Sequence, residues 1–167
     1  TENFRNTREI ALFALAFSRN SKLPAAALPR NRTGGIPVVA RCDSVEDSGR
    51  RISDYAGPRP KESIGIFVPN EELYKSYLEQ MKVELPGRNV DGYFNTDGPK
   101  RNRELAEALH LDDPGSITVL HDKSTKGTEF DTVFIVGLER RKPRDALFDN
   151  MMFVVTSRAR QRLEIHC

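Results

Sequence analysis

Apolar and polar positions form their clearest pattern between Ile117 and Glu139, where the chain reads ITVLHDKSTKGTEFDTVFIVGLE. Two apolar, β-branched runs flank the polar stretch STKGTEFD at residues 124–131. The pattern predicts a strand, a polar loop with a Lys-Gly turn, and a second strand. Because ligands bind at the strand ends of open α/β sheets, we expect this loop to present polar groups at a sheet edge.

Further apolar runs predict more strands. The run Ile64–Val68 is uninterrupted, as in a strand that is buried on both faces. Shorter runs predict three additional strands, at Ile36–Arg41, Val90–Phe94 and Leu163–Cys167. Residues 18–35 are rich in proline, arginine and glycine and are predicted to form a surface loop.

Helical spacing appears between these runs. One apolar stripe follows two residues suited to capping, Asn6 and Thr7, and consists of Ile10, Phe13, Ala14 and Phe17. A second helix is predicted to start at Pro69 and Asn70, with Glu71 and Glu72 in its first turn. Further helices are predicted at Asn102–Leu111, about Ala146–Ala159 and, as a short helix within the polar residues 43–63, near Arg50–Tyr55.

Strands that alternate with helices favour a parallel sheet covered on both faces. The fold class predicted is therefore α/β, as a three-layer α/β/α domain with a mainly parallel sheet. A chain of 167 residues with 38% hydrophobic content is long enough for one domain with a real core. We expect residues 1–167 to form that single domain.

Charge and cysteine content narrow the function classes. The chain has 26 Lys+Arg and 24 Asp+Glu, a net charge of +2, so it lacks the charge excess of a protein that coats DNA. Any nucleic-acid contact is expected to be local. The two cysteines, Cys42 and Cys167, have neither disulfide-framework nor zinc spacing. A cytoplasmic, reducing location is expected, and no membrane-spanning run or signal peptide is visible.

The polar loop itself allows two interpretations. Lys126, Gly127, Glu129 and Asp131 could form a solvated turn in which Gly127 takes a left-handed backbone conformation. Alternatively, they are part of a binding site. A short motif alone does not decide between these interpretations.

Two arginine-bearing segments favour the binding site. In MFVVTSRAR, an apolar run delivers Arg158 and Arg160 at its end, and a planar guanidinium suits phosphate oxygens. The simpler interpretation is a basic helix end that complements the helix dipole. In ENFRNTREI, Arg5 lies just ahead of a helix, where a surface or capping role is the simpler interpretation.

Together these segments resemble UvrD/Rep-type superfamily 1 DNA helicases. NFRNT followed by an apolar helix resembles motif IV, KGTEFDTVFIVGLE resembles motif V, and FVVTSRARQRLEI resembles motif VI. Their order and rough spacing agree, and the resemblance covers nearly the whole chain. It implies the second, C-terminal RecA-like domain of such a helicase, a P-loop NTPase-like fold that lacks its own Walker A motif.

The resemblance also implies roles for individual residues. Arg158 matches the arginine finger of motif VI, and Arg5 matches the motif IV arginine that approaches the γ-phosphate. Glu129 matches the glutamate near the nucleotide sugar, and Gly127 the glycine that allows close approach. These four residues are the expected ATP-binding set, with Arg158 and Arg5 as its catalytic members.

Nucleic-acid contacts are implied for one end of the polar loop, at Lys123, Ser124, Thr125 and Lys126. Here the chain departs from the family, whose usual threonine and histidine are replaced by His121 and Lys123. A lysine could still meet a phosphate, but the strand contacts differ. Ser157 replaces the usual threonine before the finger arginine and keeps the hydroxyl.

Two parts of such a motor have no counterpart in the sequence. It contains no G-x-x-x-x-G-K-[ST] motif and no acidic Walker B strand. The resemblance therefore implies that ATP with Mg²⁺ is bound mainly by an N-terminal RecA-like domain of the same chain, and that residues 1–167 alone are inactive. The start at Thr1 without a methionine fits an excised piece. Only residues 96–116 stand where UvrD and Rep carry a large helical insertion, so a compact member without that insertion is expected.

Three function classes follow. The first is the second motor domain of an ATP-dependent DNA helicase or translocase that contacts single-stranded DNA. The second is a helicase-like regulatory or partner-docking module without motor activity. The third, a small-molecule α/β enzyme, has little support, because His110, His121 and His166 show no Ser/His/Asp or Cys/His pattern and are expected to be surface or strand residues.

Overall fold

The computed structural model describes residues 6–18, 28–29, 32–94, 113–123, 128–141 and 146–167. Its helices are α1 (Arg8–Leu15), α2 (Val45–Ala56), α3 (Glu71–Glu84) and α4 (Ala146–Thr156), with a 3-10 turn at Leu138–Arg140. Its strands are β1 (Val38–Ala40), β2 (Ile64–Val68), β3 (Val90–Tyr93), β4 (Ile117–His121), β5 (Phe130–Ile135) and β6 (Ala159–His166). The predicted helix at Asn102–Leu111 and most of the predicted loop at 18–35 lie outside the described residues.

The strands form one six-stranded sheet in the order β1-β6-β5-β2-β4-β3, and all five neighbouring pairs are parallel. The central strand β2 pairs with β4 through Ile64 and Ile117 and with β5 through Ile64 and Thr132. Because all strands run in the same direction, their amino ends share one edge of the sheet and their carboxyl ends share the other. The predicted parallel sheet is confirmed.

Helices cover both faces of the sheet, which confirms the three-layer prediction. On one face, α2 and α3 pack through residues such as Ile52 and Tyr77 against one side of β2, β4 and β5. On the opposite face, α1 and α4 pack through Ile10 and Met152 against the other side. Phe130 lies on this second face across Gly65 of β2, where any side chain would overlap its ring. This contact packs the start of β5 closely against β2.

Helix α2 is longer than the predicted short helix at Arg50–Tyr55. It begins after Ser44, whose Oγ accepts a hydrogen bond from Asp47 N at 3.0 Å, and it continues to Ala56. The sequence SVED at 44–47 carries this capping signal. The apolar stripe is hard to see because much of the buried face consists of small residues such as Ser48 and Gly49.

The boundary between the last helix and the last strand also differs from the prediction. The helix was predicted to run to Ala159, but α4 ends at Thr156 and β6 begins at Ala159. The reason is the sheet: the carbonyl of Arg158 accepts a hydrogen bond from Phe130 N at 3.0 Å, which commits the chain to strand pairing at this point. In the described part of the chain, no helix is long and apolar enough to span a bilayer.

Candidate functional site

Three distant polar segments converge at the amino edge of the sheet. Glu129 directly precedes β5, Arg158 directly precedes β6, and Asn6 lies two residues ahead of α1. Backbone hydrogen bonds join the segments, since Phe130 N donates to the Arg158 carbonyl and Thr7 N donates to the Arg160 carbonyl at 3.1 Å. The fold therefore brings the NFRNT, TEFD and TSRAR sequences side by side.

Asn6 anchors the first of these segments through its side-chain amide. Its Nδ2 donates to the Ser157 carbonyl at 2.8 Å and to the Ala159 carbonyl at 2.6 Å, and the residue is only 2% exposed. The expectation that Asn6 or Thr7 caps α1 through its side chain is wrong in this respect. Thr7 occupies the N-cap position but makes no side-chain capping hydrogen bond, and Asn6 binds the start of β6 instead.

Two arginines at this edge contact the start of β5. Arg158 is half-buried and its Nη1 lies 3.5 Å from the Thr128 carbonyl, at the limit of a hydrogen bond. Arg160 Nε lies 3.5 Å from Glu129 Oε2, and both side chains are partly solvent-exposed. The described residues at this edge thus include the guanidinium groups of Arg158 and Arg160 and the solvent-accessible carboxylate of Glu129, and a planar guanidinium suits phosphate oxygens.

Asp131 supports the same edge from within the sheet. Its Oδ2 accepts hydrogen bonds from the backbone N and the Oγ of Ser63 at 3.1 and 3.0 Å, and Arg160 Nη1 lies 3.9 Å from its Oδ1. Ser63 Oγ in turn lies 3.0 Å from Asp131 N. This reciprocal pair fixes β5 to the start of β2. The family resemblance assigned no role to Asp131 or Arg160, although both lie within the motifs that predicted the site.

The structure separates the predicted site residues into two groups. It brings Arg158 and Glu129 together at the amino edge, whereas Lys123 follows β4 at the carboxyl edge. The predicted residues Arg5, Ser124, Thr125, Lys126 and Gly127 lie outside the described residues.

A cavity of about 630 Å³ lies at the carboxyl edge. Its polar lining comes from the chain segments that leave β2, β4 and β5, and it comprises Asn70, Asp122, Lys123, Arg140 and Arg141. The Arg141 guanidinium forms an ion pair with Asp122, whose side chain is only 5% exposed. Burial raises the pKa of the Asp122 carboxyl, while the charges of Arg141 and His121 oppose that shift. This buried pair was not predicted, because nothing in the local sequence joins the two residues.

A second buried network lies beside β6. Tyr77 Oη donates to Ser48 Oγ at 2.7 Å, Ser48 Oγ lies 2.6 Å from His166 Nδ1, and His166 Nε2 lies 3.1 Å from Glu164 Oε1. No sequence pattern indicated this Ser/His/acid network, whereas His121 and His166 both lie in strands, as predicted. Ser48, His166 and Glu164 are each only 2% exposed, and the serine oxygen already accepts a hydrogen bond from the Tyr77 hydroxyl. The network connects α2 and α3 to β6.

Metal-binding potential is low in the described part of the chain, where no three His, Cys, Asp or Glu side chains are grouped to hold an ion. Cys42 and Cys167 are both free thiols, and Cys42 N donates to the Cys167 carbonyl at 2.8 Å. Burial raises the pKa of the Cys42 thiol.

The architecture places this chain in a structural class: it is an α/β domain of the RecA-like type. Among solved structures, it is similar to the C-terminal domain of a possible DNA helicase from Lactobacillus plantarum WCFS1, with a TM-score of 0.64, 20% identity, and coverage of 99% of this chain and 87% of that chain. It is also similar to domain 2 of the DEAD-box helicase Mss116p bound to an RNA duplex, with a TM-score of 0.59, 15% identity, and coverage of 78% and 53%. No protein-family model and no curated protein sequence matches the chain. At these identities the similarity establishes the fold that this chain shares with helicase C-terminal domains.

Proposed function

We propose that this chain is the second RecA-like motor domain of a UvrD/Rep-type, ATP-dependent DNA helicase or translocase. One observation carries the proposal: the Asn6 segment meets Glu129 and Arg158 at one edge of the sheet, although it precedes both by more than 120 residues. A fold alone would not require these polar residues to meet. The RecA-like architecture supports the same conclusion.

The amino edge supplies one side of an ATP site that lies between two domains. Arg158 acts as the arginine finger on the γ-phosphate, with Arg5 as the second cation, and the planar fork of arginine matches phosphate oxygens. Glu129 and Gly127 face the nucleotide sugar. ATP and Mg²⁺ are bound mainly by the N-terminal RecA-like domain of the same chain, because this sequence has no G-x-x-x-x-G-K-[ST] motif of its own.

The polar loop couples that nucleotide site to nucleic acid. Its two ends lie at opposite edges of the sheet, with Glu129 at the amino edge and Lys123 at the carboxyl edge. Lys123, together with residues 124–126, contacts the backbone of single-stranded DNA. Domain closure on ATP and opening after hydrolysis then shift these contacts along the strand.

The test is Arg158→Ala in the full-length protein. We expect a loss of about 10³–10⁵-fold in ATP turnover, which is the range that arginine fingers contribute in related NTPases. The fold should persist, because the hydrogen bond that holds β5 uses the backbone of Arg158 and not its side chain. The measurement is steady-state ATPase activity with saturating single-stranded DNA.

Arg50→Ala is the matched control, since Arg50 is exposed on α2 and far along the chain from the three motifs. It should retain wild-type turnover. Retained turnover in Arg158→Ala would refute the motor assignment and favour a regulatory or docking module.

A further inference from the structure

The cavity at the carboxyl edge lies at the topological switch point of the sheet. From β2 the chain passes through α3 to β3 on one side, and from β5 it passes through α4 to β6 on the other. The two helices lie on opposite faces, so a crevice opens between the carboxyl ends of β2 and β5. Ligands of open α/β sheets bind at this point. The cavity of about 630 Å³ is large enough for a nucleotide-sized ligand.

The deep end of the cavity holds buried polar atoms whose hydrogen bonding is incomplete. Asp122 Oδ2 is bound by Arg141, but in the described part of the chain neither Asp122 Oδ1 nor Arg141 Nε has a hydrogen-bond partner. His121 Nε2 lies 3.7 Å from Oδ1, too far for a hydrogen bond, and burial lowers the pKa of this imidazole. A buried acceptor that is left without a donor is unfavourable. Asp122 Oδ1 is therefore suited to accept a hydrogen bond from a ligand N–H group.

The polar lining of the cavity is mainly cationic. Three cations, Lys123, Arg140 and Arg141, line the cavity against one carboxylate, that of Asp122. Arg140 pairs with Glu72 at 3.0 Å, but both side chains are exposed, so exchanging that partner for a ligand anion costs little. The cationic part of the lining therefore suits a phosphate group.

One wall of the cavity is apolar. Leu147, Phe148 and Met151 of α4 form it, opposite the polar segments that leave the strands. A phenylalanine ring beside a flexible methionine can pack against a planar heterocycle. Aromatic contacts of this kind stabilise bound bases.

We propose that this cavity binds one nucleotide unit, with its base against Phe148 and Met151 and its phosphate at Lys123 and Arg140. A base N–H donates to Asp122 Oδ1. This site is separate from the ATP edge, which lies at the other end of the strands. The unit is either a free mononucleotide or one nucleotide of a strand; only the latter source rests on the proposed function.

Calorimetric titration of the full-length protein tests the ligand class with three probes: AMP, ribose 5-phosphate and a short single-stranded oligonucleotide. We expect AMP to bind at least about tenfold more tightly than ribose 5-phosphate, because only AMP carries a base. Binding of AMP alone would identify a free mononucleotide, whereas binding of both AMP and the oligonucleotide would identify a strand. Equal binding of AMP and ribose 5-phosphate, or binding of neither AMP nor the oligonucleotide, would overturn the proposal.

A matched pair of variants assigns the binding to this cavity. Leu147 and Val83 are both exposed helix residues, at 77% and 73%, but only Leu147 lines the cavity. Leu147→Glu places a negative charge in the cavity lining, which repels the phosphate of the ligand and should weaken AMP binding roughly tenfold. Val83→Glu should leave it unchanged. Equal affinities in the two variants would overturn the proposal.

The outcome is independent of the motor assignment. If Arg158→Ala kept full ATPase activity while Leu147→Glu weakened AMP binding, the motor proposal would fail and the cavity would stand. If Arg158→Ala lost activity while Leu147→Glu and Val83→Glu bound AMP equally, the reverse would hold.

Discussion

The two edges of the sheet hold their polar residues by different means. At the amino edge, backbone and amide groups join the segments, as between Asn6 and Ala159, and the charged groups of Glu129 and Arg160 stay partly in solvent. On the carboxyl side, a charged group is itself buried, namely the Asp122 carboxylate, which pairs with the half-buried guanidinium of Arg141. Charged side chains should therefore be replaceable at the amino edge without loss of the fold.

In a site held by backbone contacts, a charged side chain can be removed with an effect on activity but little effect on folding stability, because the contacts stay in place. A site built on buried charges does not, since removing one partner leaves the other desolvated and uncompensated. We therefore expect charge substitutions at the amino edge to affect activity, and those on the carboxyl side to affect folding. Four experiments test this difference, in order of expected effect.

The largest effect is expected for Arg141→Ala. This variant leaves the Asp122 carboxylate buried without its cation, which should cost about 3–5 kcal/mol in unfolding free energy. The loss should shrink on acidification, because protonation of Asp122 removes the uncompensated charge. Chemical denaturation across pH measures both effects. Arg140→Ala, at the more exposed neighbouring position, should change stability by less than about 1 kcal/mol.

The next effect concerns Glu164, which is 2% exposed on β6. Burial alone would raise its pKa, but hydrogen bonds from His166, Arg51 and Arg162 outweigh burial and lower the pKa from 4.5 to about 2. A lowered folded-state pKa stabilises the protein above pH 4.5, and this contribution disappears as the pH falls toward 2. It amounts to about 3 kcal/mol at neutral pH.

The Glu164→Gln variant tests this linkage. Its stability should fall less steeply than that of the wild type between pH 4.5 and 2, as followed by thermal unfolding. Glu79→Gln on the exposed face of α3 serves as the control and should follow the wild-type curve. Parallel curves for all three proteins would show that the pH dependence of stability does not come from Glu164.

A smaller effect is expected for Asn6→Ala at the amino edge. The variant removes two hydrogen bonds to β6 and leaves carbonyls of Ser157 and Ala159 without this donor, at a cost of about 1–3 kcal/mol. ATP turnover of the full-length protein should fall further than stability alone explains, because Arg5 is its chain neighbour. Asn150→Ala, at an exposed position of α4, is the control for stability. A loss as large as that of Arg141→Ala would remove the distinction between the edges.

The smallest effect is expected for the Glu129–Arg160 pair. A double-mutant cycle with Glu129→Gln and Arg160→Gln should give a coupling of about 0.2–1 kcal/mol, because both groups are partly exposed. High salt should reduce the coupling further. A salt-resistant coupling above about 2 kcal/mol would mean that this pair behaves as a buried one.

Much of the fold could be predicted from the sequence because strand periodicity and helix signals are local. The run Ile64–Val68 is buried at every position, as predicted for a central strand, and Asn70 caps α3 by accepting a hydrogen bond from Leu73 N. The positions of Arg158 and Glu129 beside strands could also be predicted, because each lies within a short motif next to an apolar run, whereas their roles in a site stay predictions.

The rest depended on contacts that the local sequence does not reveal. Helix α2 buries Ser48, Gly49 and Ser53, so its packed face carries little hydrophobic signal. At Gly49, the terminal amide of Gln80 of α3 occupies the space that a larger side chain would fill. The Asp122–Arg141 pair and the hydrogen bonds of Asn6 join residues that are distant in sequence, so only the assembled sheet identifies them.

The last strand, β6, has a consequence for how the protein is made. Both β1 and the Asn6 segment dock onto β6, although they precede it by more than 115 residues. During translation these N-terminal segments leave the ribosome long before their partner strand exists. Until β6 exists, the backbone groups of β1 lack their sheet partner and are open to pairing with other chains. We therefore expect the nascent domain to be most prone to aggregation in the interval before β6 has been synthesised.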